Sequence, residues 1–264
     1  MEKGNNKKIN YRQPRQEENK EAVYGLRPVL EAINAGKEIE RLFIQRDQQS
    51  PLINELVALA NNHKIPILRV PEEKLNSITR KNHQGVICFI SPITYASLDN
   101  IVSETFQSGK VPLILILDRI TDVRNFGAIA RTAECMGVNA IVIPSRGGAQ
   151  INNDAIKTSA GGLNYIPVCR EDNLKNTITY LKESGIQLVA CTEKASKEFN
   201  SVDFTAPTAI ILGSEEDGIS EEYLKRADAS CKIELTGKVS SLNVSVAAGM
   251  VLYEAVRQRK ITTK

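Results

Sequence analysis

The fold is decided by residues 111–144, which read VPLILILDRITDVRNFGAIARTAECMGVNAIVIP. Two apolar runs in this stretch have the length of buried strands, and they predict strands at Leu113–Leu117 and Ala140–Ile143. The segment between them has helical spacing over Phe126–Met136 and is followed by Gly137, a common residue just beyond a helix end. A strand, a helix and a second strand in this order predict two parallel neighbouring strands.

The alternation of strands and helices continues to the end of the chain. Further strands are expected at Tyr165–Val168, Gln187–Cys191, Thr208–Leu212 and Ser230–Leu235. Further helices are expected at Asp154–Ser159, Asn173–Glu183 and Glu221–Arg226, with a last helix from about Asn243 to Arg259. This pattern predicts an α/β fold in which a parallel sheet carries helices on both faces. Such a sheet binds its ligand beyond the carboxyl ends of the strands.

Four segments are expected along the chain. Residues 1–20 are almost all polar or charged and predict a disordered, mildly basic arm. Residues 21–92 predict a small α/β domain, residues 93–110 a linker with a helix at Leu98–Gln107, and residues 111–264 the main domain. In the small domain, helices are expected at Leu26–Ala35 and after Pro51 and Pro71, and strands at Ile39–Gln45, Ile65–Val70 and Gly85–Ile90.

The composition limits the classes of function that fit the chain. The net charge is only +3, so the bulk charge does not by itself indicate a nucleic-acid partner. The five cysteines include no C-x-x-C pair and the two histidines are isolated, so we expect no metal site and a reducing cytoplasm. The longest apolar runs are far shorter than a membrane span, so no membrane association is expected. The absence of G-x-G-x-x-G argues against a dinucleotide-binding dehydrogenase.

Three loops that follow strands are rich in glycine and polar residues. The first covers residues 118–131, and Asn125 within it is placed to cap the following helix. The second covers residues 212–220, with two glycines around four polar residues and with Ser220 placed to cap the next helix. The third covers residues 233–243 and ends in serines and an asparagine before the last helix. Each loop alone fits an ordinary capped connection.

Taken together, the three loops resemble the signature motifs of the SpoU/TrmH RNA methyltransferases. The matching stretches are NFGAIARTA at 125–133, LGSEEDGIS at 212–220 and SLNVSVAA at 241–248. In front of them, VYGLRPVLEAI at 23–33 and HQGVICF at 83–89 resemble the substrate-binding domain of many members, which is related to L30e-type RNA-binding folds. The resemblance implies transfer of a methyl group from S-adenosylmethionine (SAM) to a ribose 2'-hydroxyl of RNA.

The resemblance also implies where the cofactor is held. It implies that the main α/β domain contains a trefoil knot and that the second and third loops bind SAM. By position, Gly213, Ile233 and Leu242 are expected to contact SAM, largely through main-chain groups. Thr192, which follows a strand of the same domain, is expected to be a further cofactor residue.

The catalytic residues implied by the resemblance come from all three loops. Arg131 has the central role in the family, in some accounts as general base. Because arginine stays protonated in proteins, we expect Arg131 to bind the phosphate beside the target ribose and to stabilise the developing alkoxide. Asn125 and Asn243 are expected to orient Arg131 and the ribose. Ser241 is expected to contact the hydroxyl or the phosphate, and Glu215 to order its loop or a subunit interface.

Two residues depart from the common motifs of the family. Glu216 stands where a glycine is common, and Glu234 stands where a proline is common. Neither departure removes a residue assigned to catalysis, and a non-glycine residue at 216 implies either a permissive backbone dihedral or a slightly altered loop.

The front domain favours a structured RNA, and the resemblance is closest to members that methylate a guanosine of 23S ribosomal RNA. Small members that act on tRNA lack a domain of this type. Candidate phosphate contacts are Arg27, Arg41, Arg46, Arg80 and Lys81. The family also implies a homodimer packed through the knotted domain. The alternatives are the same reaction on a tRNA ribose or another rRNA nucleotide, and a non-catalytic RNA-binding factor in ribosome assembly.

Overall fold

The computed structural model describes residues 22–262, which form two separate β-sheets. The strands of the larger sheet are β5 (Leu113–Leu117), β6 (Ala140–Pro144), β7 (Val168–Glu171), β8 (Gln187–Cys191), β9 (Thr208–Leu212) and β10 (Ala229–Cys231). They lie in the order β10-β8-β9-β5-β6-β7, and every neighbouring pair is parallel. The predicted parallel α/β fold is therefore confirmed, and the carboxyl ends of the strands meet at one edge.

Helices cover both faces of this sheet. They are α4 (Leu98–Gln107), α5 (Val123–Cys135), α6 (Asn153–Thr158), α7 (Leu174–Glu183), α8 (Glu221–Leu224) and α9 (Val244–Thr262). On one face, Phe126 of α5 and Leu252 of α9 share a buried cluster with Leu115 of β5. On the other face, α4 and α7 pack against Ile116, because successive side chains of a strand point to opposite faces. The two buried faces explain why these strands read as continuous apolar runs.

Two predicted strands of the larger sheet are wrong in their bounds. The strand expected at Tyr165–Val168 lies instead at β7, because Pro167 has no N–H to donate to a ladder. The strand expected at Ser230–Leu235 ends at Cys231, where its partner β8 also ends at Cys191. The chain beyond Cys231 leaves the sheet and forms the third functional loop.

Two predicted helix caps are also wrong. Helix α5 begins at Val123 rather than near Phe126, because the carboxylate of Asp122 accepts the main-chain N–H of Asn125 at 2.7 Å. This bond leaves the side chain of Asn125 free for other contacts. Ser220 precedes α8 but makes no capping bond, since its hydroxyl donates to a buried carboxylate described below. Helix α8 is shorter than expected and α9 continues beyond its expected end.

The smaller sheet belongs to the front of the chain. Its strands are β1 (Ala22–Tyr24), β2 (Ile39–Gln45), β3 (Ile67–Val70) and β4 (Val86–Ile90), in the order β1-β4-β2-β3. Its helices are α1 (Leu26–Asn34), α2 (Pro51–Asn62) and α3 (Glu72–Ile78). The sequence analysis missed β1, which is only three residues long. The basic arm expected at residues 1–20 lies outside the described residues, and the predicted domain boundaries stay predictions.

The front domain is docked on the β7 edge of the larger sheet. Between the two sheets, Tyr95 forms a β-bridge with Val168. The carboxylate of Glu40, at the start of β2, accepts the main-chain N–H of Ile151 at 2.9 Å and the hydroxyl of Tyr95. The guanidinium of Arg170 lies 4.0 Å from the centre of the Tyr95 ring. The connection expected as a linker is thus partly fixed to the sheet that follows it.

Candidate functional site

The three loops singled out from the sequence converge at the carboxyl edge of the larger sheet. The loops at 118–122 and 213–220 follow the neighbouring strands β5 and β9. The loop at 232–243 follows β10 and leads into α9. Hydrogen bonds described below connect all three loops, although they are widely separated along the chain.

One carboxylate oxygen, Oε1 of Glu215, joins the three loops. It accepts hydrogen bonds from Nδ2 of Asn125 at 3.1 Å and from Nδ2 of Asn243 at 3.0 Å. The main-chain N–H of Val244, at the start of α9, donates to the same oxygen at 3.3 Å. A helix N-terminus favours a negative charge at this place. Asn243 also donates to Oδ1 of Asn125 at 2.9 Å, so the two amides and the carboxylate form a closed network.

A second network ties the first loop to the second, and the sequence analysis missed it. Asp118 is buried directly after β5, and its Oδ2 accepts both the N–H and the hydroxyl of Ser220 at 2.7 Å. Arg119 donates to Asp118 at 3.2 Å, to Asp217 at 3.1 Å and to the main-chain oxygen of Gly218 at 3.1 Å. Arg119 has a φ of 56°, which few non-glycine residues adopt. An acidic residue directly after an apolar strand was the available signal.

A cavity of about 130 Å³, which we call the inner cavity, lies between the second and third loops. It is lined by all four residues that are expected to contact SAM, which are Thr192, Gly213, Ile233 and Leu242. Ser241 also lines it. Among residues 22–262, no hydrogen bond occupies the main-chain groups of Gly213, Ile233 or Leu242. These donors and acceptors are therefore available to a ligand. The remaining wall combines apolar residues with polar and acidic ones, the apolar residues being Leu212, Ile219, Leu235, Val244 and Ala247 and the acidic residues Glu193 and Glu215.

Two cysteines stand at the base of the inner cavity. Cys191 of β8 and Cys231 of β10 are directly opposite each other, and Cys191 lines the cavity. The hydrogen bond between the two thiols, together with burial, raises the pKa of Cys191, and the same bond lowers the pKa of Cys231. The cavity wall at Cys191 is therefore an uncharged thiol at neutral pH.

The second loop closes tightly on itself. A Cβ atom added to Gly213 would lie 2.1 Å from the carbonyl carbon of Gly218, so no side chain fits at Gly213. The N–H of Gly218 donates to the main-chain oxygen of Ser214 at 3.0 Å. Glu216, which replaces a common glycine, is not among the non-glycine residues with positive φ. The departure from the family motif therefore brings no backbone strain.

A second cavity of about 390 Å³, the outer cavity, adjoins the inner one. The two share Ser214, Glu215 and Val244 in their walls. The outer cavity is bordered mainly by polar groups, which include Asn125 and the carboxylates of Asp122, Glu215, Glu216 and Asp217. A ligand in the inner cavity and a second ligand in the outer cavity would meet at the Glu215 network.

Arg131 lies away from both cavities. It is exposed in the second half of α5 and lines neither the inner nor the outer cavity. With the residues that the structure describes, it forms no salt bridge and no side-chain hydrogen bond. Six residues of helix correspond to a rise of about 9 Å, which separates Arg131 from Asn125. Within one chain, Asn125 and Asn243 contact Glu215 and each other, and the side chain of Arg131 contacts neither.

An exposed apolar stripe lies on α9, which packs against the helix that carries Arg131. Helix α5 packs against α9, with Thr132 facing Gly249. Val246, Met250 and Tyr253 follow each other on α9 at helical spacing and remain exposed, Tyr253 to 61%. An exposed stripe of this kind is typical of a surface that another protein covers.

The basic residues expected in the front domain fall into two places. Four of them lie near the end of the small sheet that is remote from the larger one: Arg27, Arg46, Arg80, Lys81. There, the ammonium of Lys81 lies 5.0 Å from the centre of the Tyr24 ring. Arg41, in contrast, lies at the junction between the two sheets and faces residues 144–150.

The described part of the chain has neither a cluster of metal-ligating side chains nor a membrane-spanning helix. Between residues 22 and 262, no three His, Cys, Asp or Glu side chains lie close enough together to hold a metal ion. Over the same residues, the helices lack the length and apolar character that crossing a membrane requires.

Comparisons with known proteins identify relatives over most of the chain. Residues 112–253 match the SpoU rRNA methylase family, and residues 22–96 match the substrate-binding family of RNA 2'-O ribose methyltransferases. A Staphylococcus saprophyticus protein, named as a TrmH family tRNA/rRNA methyltransferase, is 37% identical over 90% of this chain and 95% of its own length.

Two solved structures are similar in fold to different extents. The SAM-bound rRNA methyltransferase from Sinorhizobium meliloti has a TM-score of 0.56 and 26% identity, over 89% of this chain and 86% of that chain. The TrmH/SpoU tRNA-modifying enzyme from A. aeolicus has a TM-score of 0.54 and 30% identity, over 62% of this chain and 86% of that chain.

Proposed function

We propose, from the premise that this chain belongs to the SpoU rRNA methylase family, that it methylates the ribose 2'-hydroxyl of a guanosine in large-subunit ribosomal RNA. The chain is an RNA methyltransferase with SAM as its cofactor. The observation that carries the proposal is the Glu215 network, in which one oxygen joins all three loops at the boundary between the two cavities.

The groups that line the inner cavity suit SAM in their chemistry. The unoccupied main-chain groups of Gly213, Ile233 and Leu242 are fixed donors and acceptors, which suit an adenine edge and an amino-acid end. Thr192 adds a buried hydroxyl to the same wall. When bound, SAM supplies an electrophilic methyl group on a cationic sulfonium. The carboxylate of Glu215, at the mouth of the cavity, favours a cation there.

The outer cavity fits the methyl acceptor. A ribose hydroxyl is a weak nucleophile at neutral pH, so the site must align it and stabilise the charge that develops on its oxygen. The Glu215 network holds the amides of Asn125 and Asn243 in one orientation, and we assign them the alignment of the ribose. To Ser241, which lines the inner cavity, we assign a contact with the hydroxyl or its phosphate.

In this proposal, Arg131 acts at the active site of a second copy of the chain. It stands outside both cavities of its own chain, on α5, which packs against the helix that carries the exposed stripe of Val246, Met250 and Tyr253. Burial of this stripe in a homodimer would remove exposed apolar surface and bring Arg131 to the outer cavity of the partner. There its guanidinium would bind a phosphate and stabilise the developing alkoxide.

The choice of ribosomal RNA rests on the front domain. The rRNA methyltransferase from S. meliloti matches 89% of this chain, whereas the tRNA-modifying enzyme from A. aeolicus matches 62%. A difference of this size is what the presence or absence of a front domain produces. The second candidate is the same reaction on a tRNA ribose, which the tRNA/rRNA designation of the S. saprophyticus relative favours.

The proposal also includes two properties of the molecule as a whole. The close contact of the second and third loops at Glu215 and Val244 supports the trefoil knot of the family. The free state of five cysteines, with no C-x-x-C spacing, supports a cytoplasmic location.

The test is a map of ribose 2'-O-methyl groups on rRNA and tRNA from cells that lack the protein. We expect one guanosine of large-subunit rRNA to lose its methyl group and to regain it when the wild-type chain is returned. Loss of a methyl group on tRNA instead would establish the second candidate. An unchanged map, together with purified protein that does not bind SAM in calorimetry, would contradict the proposed reaction.

A further inference from the structure

A groove of about 300 Å³ lies between the two domains, and no role described so far uses it. We call it the interdomain groove. One wall comes from the front domain, with Arg41 of β2 and Leu68 of β3. The other wall is the loop that follows β6, from Pro144 to Gln150, and Arg170 lies at the base.

The charged side chains of the groove are predominantly basic. Three arginines line it against one carboxylate, Glu40, which is already engaged by Ile151 N–H and the Tyr95 hydroxyl. Arg146 is exposed and makes no ion pair with any residue in the described part of the chain. The Nε atom of Arg170 is buried and has no hydrogen-bond partner there. The groove therefore suits an anion rather than a cation.

The loop beside Arg146 offers main-chain donors as well. Its sequence from 145 to 148 is Ser-Arg-Gly-Gly, and Gly147 has a φ of 79°. Within residues 22–262, no hydrogen bond takes up the N–H groups of Gly147 and Gly148. Consecutive free N–H groups in a glycine turn form a concavity that binds phosphate oxygens.

The groove and the outer cavity share one lining residue. Gly147 lines both, so a chain that passes over Gly147 leads from the groove to Asn125 and Glu215. The outer cavity itself is bordered by several carboxylates, which repel phosphates. The attraction for an RNA backbone must therefore come from surfaces next to this cavity, and the interdomain groove is one of them.

The two walls are held at a fixed separation. Glu40 belongs to the front domain, and it bonds to Ile151 at the end of the loop that carries Arg146. Arg170, behind the groove, donates to the main-chain oxygen of Ile39 at 2.9 Å. Desolvation raises the pKa of the Glu40 carboxyl, as expected for a group enclosed between the two domains. The junction thus makes one rigid site from residues of both domains.

We propose that the interdomain groove binds the phosphodiester backbone of the substrate RNA beside the methylated nucleotide. Arg146 and Arg41 contact phosphate oxygens from opposite walls, and the N–H groups of Gly147 and Gly148 contact the phosphate nearest the outer cavity. This inference rests on the proposed function, because it takes from it that the bound RNA is methylated. It adds a phosphate-binding site outside the three sequence motifs, together with the direction in which the RNA leaves the active site.

The central experiment removes one charge from the groove. Arg146→Ala is compared with wild type and with Lys110→Ala, a matched control at an exposed cation on the opposite, amino edge of the sheet. Affinity for a fluorescein-labelled RNA hairpin of mixed sequence is measured by anisotropy over a series of KCl concentrations. We expect Arg146→Ala to weaken binding about tenfold and to reduce the slope of log Kd against log salt by about 1. Lys110→Ala should leave both unchanged.

Two further measurements separate a phosphate contact from a structural effect. Arg146→Lys keeps the charge and should recover most of the affinity and the full salt slope, since a phosphate accepts a point charge as well as a fork. The melting temperature and the SAM affinity of all three variants should equal those of wild type, because Arg146 is exposed and outside the inner cavity.

The outcomes also distinguish this inference from the proposed function. Equal RNA affinity and equal salt slope in wild type and Arg146→Ala would overturn the phosphate site, even if wild type methylates RNA normally. A wild type that binds the hairpin through Arg146 but neither binds SAM nor transfers a methyl group would overturn the proposed function and leave the groove in place.

Discussion

The inner and outer cavities share a wall but recognise their ligands by different means. The inner cavity presents main-chain groups, apolar side chains and serines, and two acidic residues line it, Glu193 and the shared Glu215. The outer cavity presents side-chain amides and carboxylates held by hydrogen bonds. Main-chain groups are set by loop conformation, whereas side-chain groups depend on their partners. Substitutions in the two cavities should therefore have separable effects on SAM binding and on turnover.

The largest expected effect comes from Arg131, which belongs to neither cavity of its own chain. Arg131→Lys keeps the charge, so a phosphate can still bind, but it loses the planar guanidinium whose bidentate contact aligns the phosphate and stabilises the developing alkoxide. We expect turnover on RNA to fall by about a hundredfold or more while SAM affinity stays at the wild-type value. Rapid-quench methyl transfer and SAM calorimetry measure the two quantities. Near-wild-type turnover in this variant would remove the guanidinium fork from the mechanism.

A mixed dimer tests whether Arg131 acts in the active site of its own chain or in that of the partner chain. One copy carries Arg131→Lys and the other carries Asn243→Ala, with different affinity tags for purification. If Arg131 acts in the partner's outer cavity, one site of the mixed dimer has both residues, and about half of the wild-type turnover returns. If Arg131 acts in its own chain, both sites lack one residue and turnover stays low.

The sequence predicts the central strands of the larger sheet better than it predicts the start of α5. β5, β8 and β9 lie at the predicted bounds, because strands buried on both faces appear as unbroken apolar runs. The cap of α5 was assigned to Asn125, yet Asp122 holds it, because two acceptors stood close together and local spacing could not decide between them.

For the candidate site, the sequence identifies the residues but not the contacts between them. The motif resemblance collects the residues that line the inner cavity, and the structure brings all four together. It does not reveal that Glu215 bonds Asn125 across 90 positions of the chain or that Asp118 bonds Ser220 across 102. Contacts at such separations depend on which strands are neighbours in the sheet, and no local sequence pattern encodes that order.

The next largest effect is expected at Gly213, in the wall of the inner cavity. Gly213→Ala places a Cβ atom 2.1 Å from the carbonyl carbon of Gly218, so the second loop must move. Overpacking of this kind costs about 1–3 kcal/mol, and we expect the Kd for SAM to rise about tenfold to a hundredfold. Calorimetry measures this change.

Gly237 provides the matched control for that substitution. It lies in the third loop without a positive φ, and no atom stands within 4 Å of the Cβ position. Gly237→Ala should therefore leave the SAM affinity unchanged. A similar loss of affinity in both variants would show that any added methyl group disturbs these loops, and that the close contact at Gly213 has no special role.

The smallest effect is expected at Glu216, where this chain departs from the family motif. Because Glu216 does not have a positive φ, Glu216→Gly relieves no strain and only adds freedom to the loop before binding. The added backbone entropy costs about 0.5–1 kcal/mol, which corresponds to a two- to fivefold weaker affinity for SAM in calorimetry. An affinity gain would instead mean that Glu216 holds the second loop in a strained form. A loss as large as that of Gly213→Ala would mean that its carboxylate, and not the main chain, holds the inner cavity in shape.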